Sequence, residues 1–222
     1  MESIDSRISG LFGGGNSSLE SAVKEAVSGG KRVRAVLALL WCEAISGEYE
    51  GAIPVAVAYE LAHAAALVQD DILDDSEKRR GTQSIVRKHG LRSAMLASNA
   101  LLAQVPSVIS EYGLQPSGGQ MLRKLFELLG DSFGSTIMGE FLDLEMAERD
   151  IVQQEDYEYM IKLKTGALIG ASSASGVVVG CVNAEAFAFE EAFQQIDQGM
   201  VVVDNEQAIH CWYFAFSCPG RR

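Results

Sequence analysis

The chain has 222 residues, a formal charge of −12, 48% hydrophobic residues and only four prolines. That length suits one domain with a full core, and the apolar share is enough to fill it. The acidic balance excludes a nucleic-acid partner, which needs clustered lysine and arginine, but leaves room for small phosphorylated ligands met by a local basic cluster or by divalent cations.

Met1-Glu2-Ser3-Ile4-Asp5 lacks the charged-then-apolar pattern of a signal peptide. Cys42, Cys181, Cys211 and Cys218 form no C-x-x-C pair and read as core thiols of a reducing compartment, so a cytoplasmic setting is expected. Gly13-Gly14-Gly15-Asn16 reads as a flexible connector. Ser17 with Glu20 fits a capping box, opening a helix to about Ser28 that Gly29-Gly30 ends. From Lys31 onward Val33, Val36, Leu37, Leu40 and Trp41 recur at helical spacing, until Gly47 and Gly51 interrupt. Pro54 suits the first turn of the next helix, PVAVAYELAHAAALVQDDILDD. Its first four turns are apolar almost all round, which predicts a position at the centre of a bundle. The longest apolar stretch, Ile53 to Val68, is broken by Glu60 and His63 and is short for a bilayer, so no membrane span is expected.

Gly81-Thr82-Gln83 is expected to close that element. A helix around Ser93 to Gln104 follows, then a loop with Pro106 and Pro116. Further helical runs cover roughly Met121 to Glu148 and Glu155 to Leu168. Gly176-Val-Val-Val-Gly180 has strand propensity, but in so helical a chain it reads as a buried helix segment. Ala192 to Gln195 still looks helical, and the aromatic-rich end after it shows no clean period. The fold class is therefore all-α, a helical bundle forming a single domain over 1–222.

The chemistry gathers at Asp70, Asp71, Asp74 and Asp75. Positions i and i+4 share a helix face, so Asp70 projects with Asp74 and Asp71 with Asp75. Carboxylates so close at the end of a buried helix need cations, and hard oxygen ligands at this spacing suit Mg²⁺ with substrate phosphates. A solvated acidic helix end is the alternative, though carboxylates near a helix C-terminus oppose the dipole. Arg79-Arg80-Gly81 follows at once, and two guanidinium groups can grip diphosphate oxygens in pairs, or simply pair with Glu77 and the aspartates. Upstream, Lys31 and Arg34 stand one turn apart at a helix start, where free backbone N–H groups favour an anion; a solvated basic turn is the plainer meaning of that run taken singly.

These stretches, with Glu60-Leu61-Ala62-His63, Gly139-Glu140-Phe141-Leu142-Asp143-Leu144 and Lys164-Thr165-Gly166, follow in order over about residues 20 to 198. In them the chain resembles the trans-isoprenyl diphosphate synthase family, also called polyprenyl synthetases, of the geranylgeranyl or long-chain type. The resemblance implies an isoprenoid synthase-type bundle with a central aspartate-lined cavity. It implies that Asp70, Asp71 and Asp74, with Asp197 of a second motif, bind two or three Mg²⁺ ions on an allylic diphosphate. Arg79 then contacts that diphosphate, while Lys31, Arg34, His63 and Arg80 hold isopentenyl diphosphate. Lys164, Thr165 and Gln194 are the implied catalytic residues, the first two beside the allylic C–O bond. The family also implies a homodimer, or a heterodimer with a related synthase. Ala65 and Ala66, one turn before the aspartates, are expected to face the growing tail and leave room for a product of C20 or longer.

Departures from the family pattern are also legible. In Phe193-Gln194-Gln195-Ile196-Asp197-Gln198-Gly199-Met200-Val201, Gln198 and Val201 replace two aspartates of the second motif. Glu140 stands where glutamine is usual, Gln69 where histidine is common, and Ser98-Asn99 replaces a Gly-Asp pair. The chain reads as stopping about a third early, without the closing helices, and the tail from Gly199 reads like unrelated sequence, as a frameshift or a truncated gene would give. Three readings follow from the residues: a working prenyltransferase, a catalytically impaired homologue that binds diphosphates or regulates a complete synthase, and a cyclase that shares the fold. Lys31, Arg34 and Arg80 favour the first over the third, because a cyclase needs no isopentenyl site.

Overall fold

A computed structural model describes residues 2–12, 17–114 and 118–183 of the chain. The glycine connector, Pro116, the second aspartate motif with Gln194 and Asp197, and the tail after it lie outside the described residues.

The described residues form an all-α bundle, with α1 at Glu2–Leu11, α2 at Ser18–Val27, α3 at Val33–Ser46 and α4 at Ile53–Leu73. A two-stranded hairpin, β1 at Lys78–Arg79 and β2 at Thr82–Gln83, leads to α5 at Ile85–His89 and α6 at Leu91–Ile109. Then come α7 at Gly118–Ala147, α8 at Gln154–Ile161, a π-helical turn at Lys162–Gly166, and α9 at Ala167–Asn183.

Local chemistry accounts for several of these boundaries. Ser17 and Glu20 form the expected reciprocal capping box of α2. Gly47 closes α3 in the left-handed conformation that glycine adopts most easily. Pro54 sits in the first turn of α4, where its missing N–H costs nothing. Every residue from Val55 to Leu61 on α4 is buried, so the helix is wrapped on all sides, as its all-round apolarity predicts. Its main partner is α6, while α3 packs along α9 and α9 along α7. Two buried phenols are paired: the Tyr59 hydroxyl lies 2.9 Å from Ser175 Oγ, and the Tyr112 hydroxyl donates to the Gly51 carbonyl at 2.7 Å. The strand-like run 176–180 is buried helix in α9.

Four expectations need correction. Pro106 lies inside α6 rather than in a loop, and the helix runs three residues past it. Residues 78–83 are not a simple stop but a hairpin, turned by Arg80 and Gly81, both with positive φ. The helix expected from Glu155 to Leu168 is divided by the π turn. The apolar run judged too short for a bilayer is part of a 24-residue stretch, Glu50–Leu73, long and apolar enough to cross one; Leu91–Leu114 and Gln154–Asn183 also qualify by length and composition. In the fold, 67% of the first apolar window and 61% of the third are buried, so packing within the bundle accounts for most of their apolarity.

Close helix contact depends on missing side chains. A Cβ on Gly176 in α9 would lie 2.2 Å from the Ala38 carbonyl oxygen in α3. Gly134 in α7 has nothing within 4 Å of that position. Gly176→Ala is therefore expected to destabilise by about 1–3 kcal/mol through overpacking. Gly134→Ala is expected to stabilise by about 0.5–1 kcal/mol through helix entropy. Urea unfolding of both variants checks the opposite signs.

Candidate active site

The site begins at the C-terminal end of α4. Asp70 and Asp71 lie in its last turn and Asp74 is its C-cap. Asp71 is only 2% exposed, so its charge requires a partner. The hairpin supplies it: Arg79 Nε donates to Asp71 Oδ1 at 2.8 Å, and the same guanidinium is hydrogen-bonded to Asp70 Oδ2. The other oxygen of Asp70 faces Lys164 Nζ at 3.2 Å. Burial alone would raise the Asp70 pKa, but the hydrogen bonds from Arg79 and Lys164 bring it below the usual carboxylate value.

Lys164 is held in the π turn by two further carboxylates, Asp143 at 2.7 Å and Glu140 at 3.0 Å, both on α7. Desolvation works against the ammonium, yet the bonds to Asp143 and Glu140 outweigh it and raise the Lys164 pKa. Glu140 moves up, chiefly through burial. Thr165, next in the turn, is exposed.

Another cationic side chain, Arg80, lies against the turn at Gly29-Gly30. Arg80 Nη1 donates to the Ser28 carbonyl at 2.8 Å, and its guanidinium lies where a Cβ on Gly30 would be, 3.0–3.2 Å away. Gly30, at φ +96°, thus meets both the turn and the close approach. Arg34 is largely enclosed in the first turn of α3, and its Nε is buried with no hydrogen-bond partner among the described residues. His63, on α4, is pushed down to about 3, first by burial and then by Arg34, Arg80, Arg79 and Arg32. A half-buried imidazole, an orphaned guanidinium N–H and nearby arginines offer donors that an anion would satisfy. Lys31 is exposed ahead of the helix.

Sequence reasoning missed the support beneath this turn. Arg32, not Lys31, is buried there, with a left-handed φ of 52°. Its guanidinium donates to the Val27 carbonyl at 2.7 Å and pairs with Asp5 at 2.8 Å and with buried Glu60 at 3.3 Å. Glu60 also accepts from the Ala35 N–H at 3.2 Å, so part of the helix start expected to greet an anion already holds a carboxylate. The signal available was Glu60 itself, an acid inside an apolar run.

Between α4 and α7 a cavity of about 220 Å³ is lined by Ala66, Gln69, Leu73, Phe133, Ile137, Phe141 and neighbours, with Glu140 at its wall. Ala66 opens onto it. Ala65 does not: it is fully buried, and its carbonyl accepts from Ser98 Oγ of α6 at 3.2 Å.

Asp70, Asp71 and Asp74 offer hard carboxylate oxygens of the kind Mg²⁺ takes, and in this arrangement Arg79 pairs with the first two and Lys164 with Asp70. Among the described residues no three His, Cys, Asp or Glu side chains are grouped closely enough to hold a metal ion, since Arg79 and Lys164 stand between the acids.

Comparison with known proteins bears on the family and the fold. The polyprenyl synthetase family model matches residues 16–200. A geranylgeranyl pyrophosphate synthase of Geoglobus acetivorans is 35% identical over 68% of the chain and 47% of the relative. A short chain isoprenyl diphosphate synthase of Methanothermobacter thermautotrophicus is 34% identical over 82% of the chain and 57% of the relative. Among solved structures, the geranylgeranyl pyrophosphate synthetase of Pyrococcus horikoshii aligns with a TM-score of 0.75 at 34% identity, covering 80% of this chain and 54% of that one. The chain thus spans about half the length of the curated relatives it matches. A family match over most of the chain, carried on the helices that bring Asp70, Arg79 and Lys164 together, means that the chain belongs to the polyprenyl synthetase family of trans-isoprenyl diphosphate synthases.

Proposed function

We propose that the chain is a prenyltransferase that condenses isopentenyl diphosphate with an allylic diphosphate to a product of C20 or longer. The observation that carries this reading is the pairing of two separate cationic groups across α4. Arg79 and Lys164 lie on the aspartates; Arg80 lies against the Gly29-Gly30 turn, and Arg34 and Arg80 stand near the neutral His63. Two diphosphates, one shared with metal and one held by side chains, match that division. Geranylgeranyl diphosphate synthases among the relatives support the substrate class.

In this reading Asp70, Asp71 and Asp74, with Asp197, hold Mg²⁺. The bound ions supply Lewis-acid neutralisation of the leaving diphosphate. Arg79 and Lys164 add fixed positive charge beside the same oxygens. Thr165 is assigned a catalytic role with Lys164 beside the breaking C–O bond, and Gln194, outside the described residues, a catalytic role as well. Lys31, Arg34, His63 and Arg80 orient isopentenyl diphosphate, whose double bond attacks the allylic carbon. The proton then leaves to the released diphosphate. The apolar cavity beside Ala66 takes the tail and excludes water. With Phe133, Ile137 and Phe141 also lining it, α7 shares control of product length with Ala66, while Ala65 supports the wall from behind. The reading includes one domain over 1–222, a cytoplasmic homodimer or heterodimer, and no membrane span. Burial of most of the Glu50–Leu73 and Gln154–Asn183 windows supports the last point, although only 39% of the Leu91–Leu114 window is buried, and the buried free thiols Cys42 and Cys181 suit a reducing compartment.

A second reading is favoured by Gln198 and Val201, which leave one carboxylate in the second motif. It makes the chain a diphosphate-binding or regulatory partner of a complete synthase. Incubation with Mg²⁺, labelled isopentenyl diphosphate and geranyl or farnesyl diphosphate separates the two. The prenyltransferase gives an extended product, and Asp70→Ala lowers its rate by about a hundredfold or more, as loss of a transition-state charge partner does. A folded chain that binds primer and makes no product supports the second reading.

His63 gives a pH test. Its folded-state pKa lies below that of the unfolded chain, so the unfolded state binds the proton first and stability falls as pH drops below 6.5. Wild type is expected to lose up to about 1.4 kcal/mol per pH unit more than His63→Gln between pH 6.5 and 5. Parallel urea titrations of both proteins measure this; equal slopes would count against the burial of His63 near the arginines.

A further inference from the structure

Gly139 sits within α7, where the π turn of Lys162–Gly166 lies directly upon it. A Cβ there would stand 2.2 Å from Lys164 N, 2.6 Å from Lys164 Cα and 2.8 Å from the carbonyl carbon of Leu163. All three are backbone atoms, so no rotamer change relieves the clash; the turn itself must move. Its geometry is particular: the Ala167 N–H bonds to the Lys162 carbonyl, five residues back, which offsets Lys164 from the helical track of α8 and α9. The residue after Gly139 is Glu140, which binds Lys164 Nζ at 3.0 Å, and Asp143, one turn on, binds it at 2.7 Å. Backbone contact and side-chain contact therefore join the same two segments at the same level.

We infer that Gly139 is a positioning residue for Lys164: its bare Cα lets the π turn rest on α7, and that contact holds the Lys164 ammonium among Asp70, Glu140 and Asp143. The inference rests on the reading that Lys164 serves the allylic diphosphate. A methyl group at 139 displaces the turn, lengthening the contacts of Lys164 to α7 and to Asp70. Gly134, five residues earlier on the same helix, faces open space, so the general effect of alanine in a helix can be separated from this local one.

The test uses the full chain without substrate. Each lysine is trace-acetylated with acetic anhydride in competition, and the modified peptides are quantified by mass spectrometry. In wild type Lys164 reacts slowly, because three carboxylates hold it. In Gly139→Ala its rate is expected to rise about threefold or more, the factor that follows from losing one partly buried ion pair. Exposed Lys31 is expected to keep its rate, and Gly134→Ala to leave Lys164 as in wild type. If Gly139→Ala folds poorly alone, it is made in the Gly134→Ala background, whose added helix stability offsets the loss. An unchanged Lys164 rate overturns the inference. So does an equal rise at every lysine in both backgrounds, since Gly139 then serves the bundle as a whole. A parallel series with Mg²⁺ and farnesyl thiolodiphosphate tests the underlying reading by itself: absence of Lys164 protection in wild type counts against the prenyltransferase, and the Gly139 comparison stands apart from it.

Discussion

Asp71 is a nearly inaccessible carboxylate at the end of a helix whose own dipole is negative there. Asp70 stands beside it, largely covered as well. An arrangement of this kind is unstable unless positive charge is delivered to it, because burying an unpaired carboxylate costs several kcal/mol. Much of the local architecture can be understood as that delivery. The β1–β2 hairpin folds back along α4 so that Arg79 reaches both acids. The π turn brings Lys164 to Asp70 from the opposite side. Even the positive φ of Arg80, unusual for a residue with a side chain, belongs to the tight turn that sends Arg79 back to the helix.

The same economy of space recurs where backbone meets backbone. Gly30 admits the guanidinium of Arg80, Gly139 admits the π turn, and Gly176 and Gly180 admit α3 against α9. In each case a side chain is absent because a charged group or a second helix occupies its place. The α3–α9 contact matters for the site as well as for stability. Ser172 on α9 donates to the Arg34 carbonyl, so the helix that follows Lys164 also steadies the segment carrying Arg34. The two cationic groups are thus joined through the bundle as well as through α4.

Much of this was legible in the sequence, because it rests on local rules. The all-round apolarity of α4, the capping box of Ser17 and the Gly47 stop each follow from a few neighbouring residues. The aspartate-to-arginine block is local too, and the structure brings Asp70, Asp71 and Arg79 together. What was not legible depends on contacts between distant segments. Arg32 and Lys31 are adjacent basic residues, and nothing local says that the former is buried on Asp5 and Glu60 while the latter is exposed. Ala65 and Ala66 are likewise adjacent, and only the packing of α6, with Ser98 bonded to the Ala65 carbonyl, assigns one to the core and the other to the cavity. Pro106 lies inside α6 although its ring removes an interior backbone donor, which a local reading takes as a stop. The π turn had no signature, since it differs from an α-helix by a single hydrogen-bond offset.

Glu140 draws these threads together. With Asp70, Asp143 and Glu140 around one ammonium, the cluster carries an excess of negative charge even when Lys164 is counted. Burial raises the Glu140 pKa and Lys164 opposes that rise, so the acid and the base restrain each other. A glutamine at this position, as the family pattern usually has, would accept a hydrogen bond but contribute no charge. The carboxylate therefore changes the balance rather than the shape. Two anions on α7 hold Lys164 together with Asp70, so its place in the site does not rest on Asp70 alone. Glu140 is thus one of the two α7 carboxylates that fix Lys164 beside Asp70.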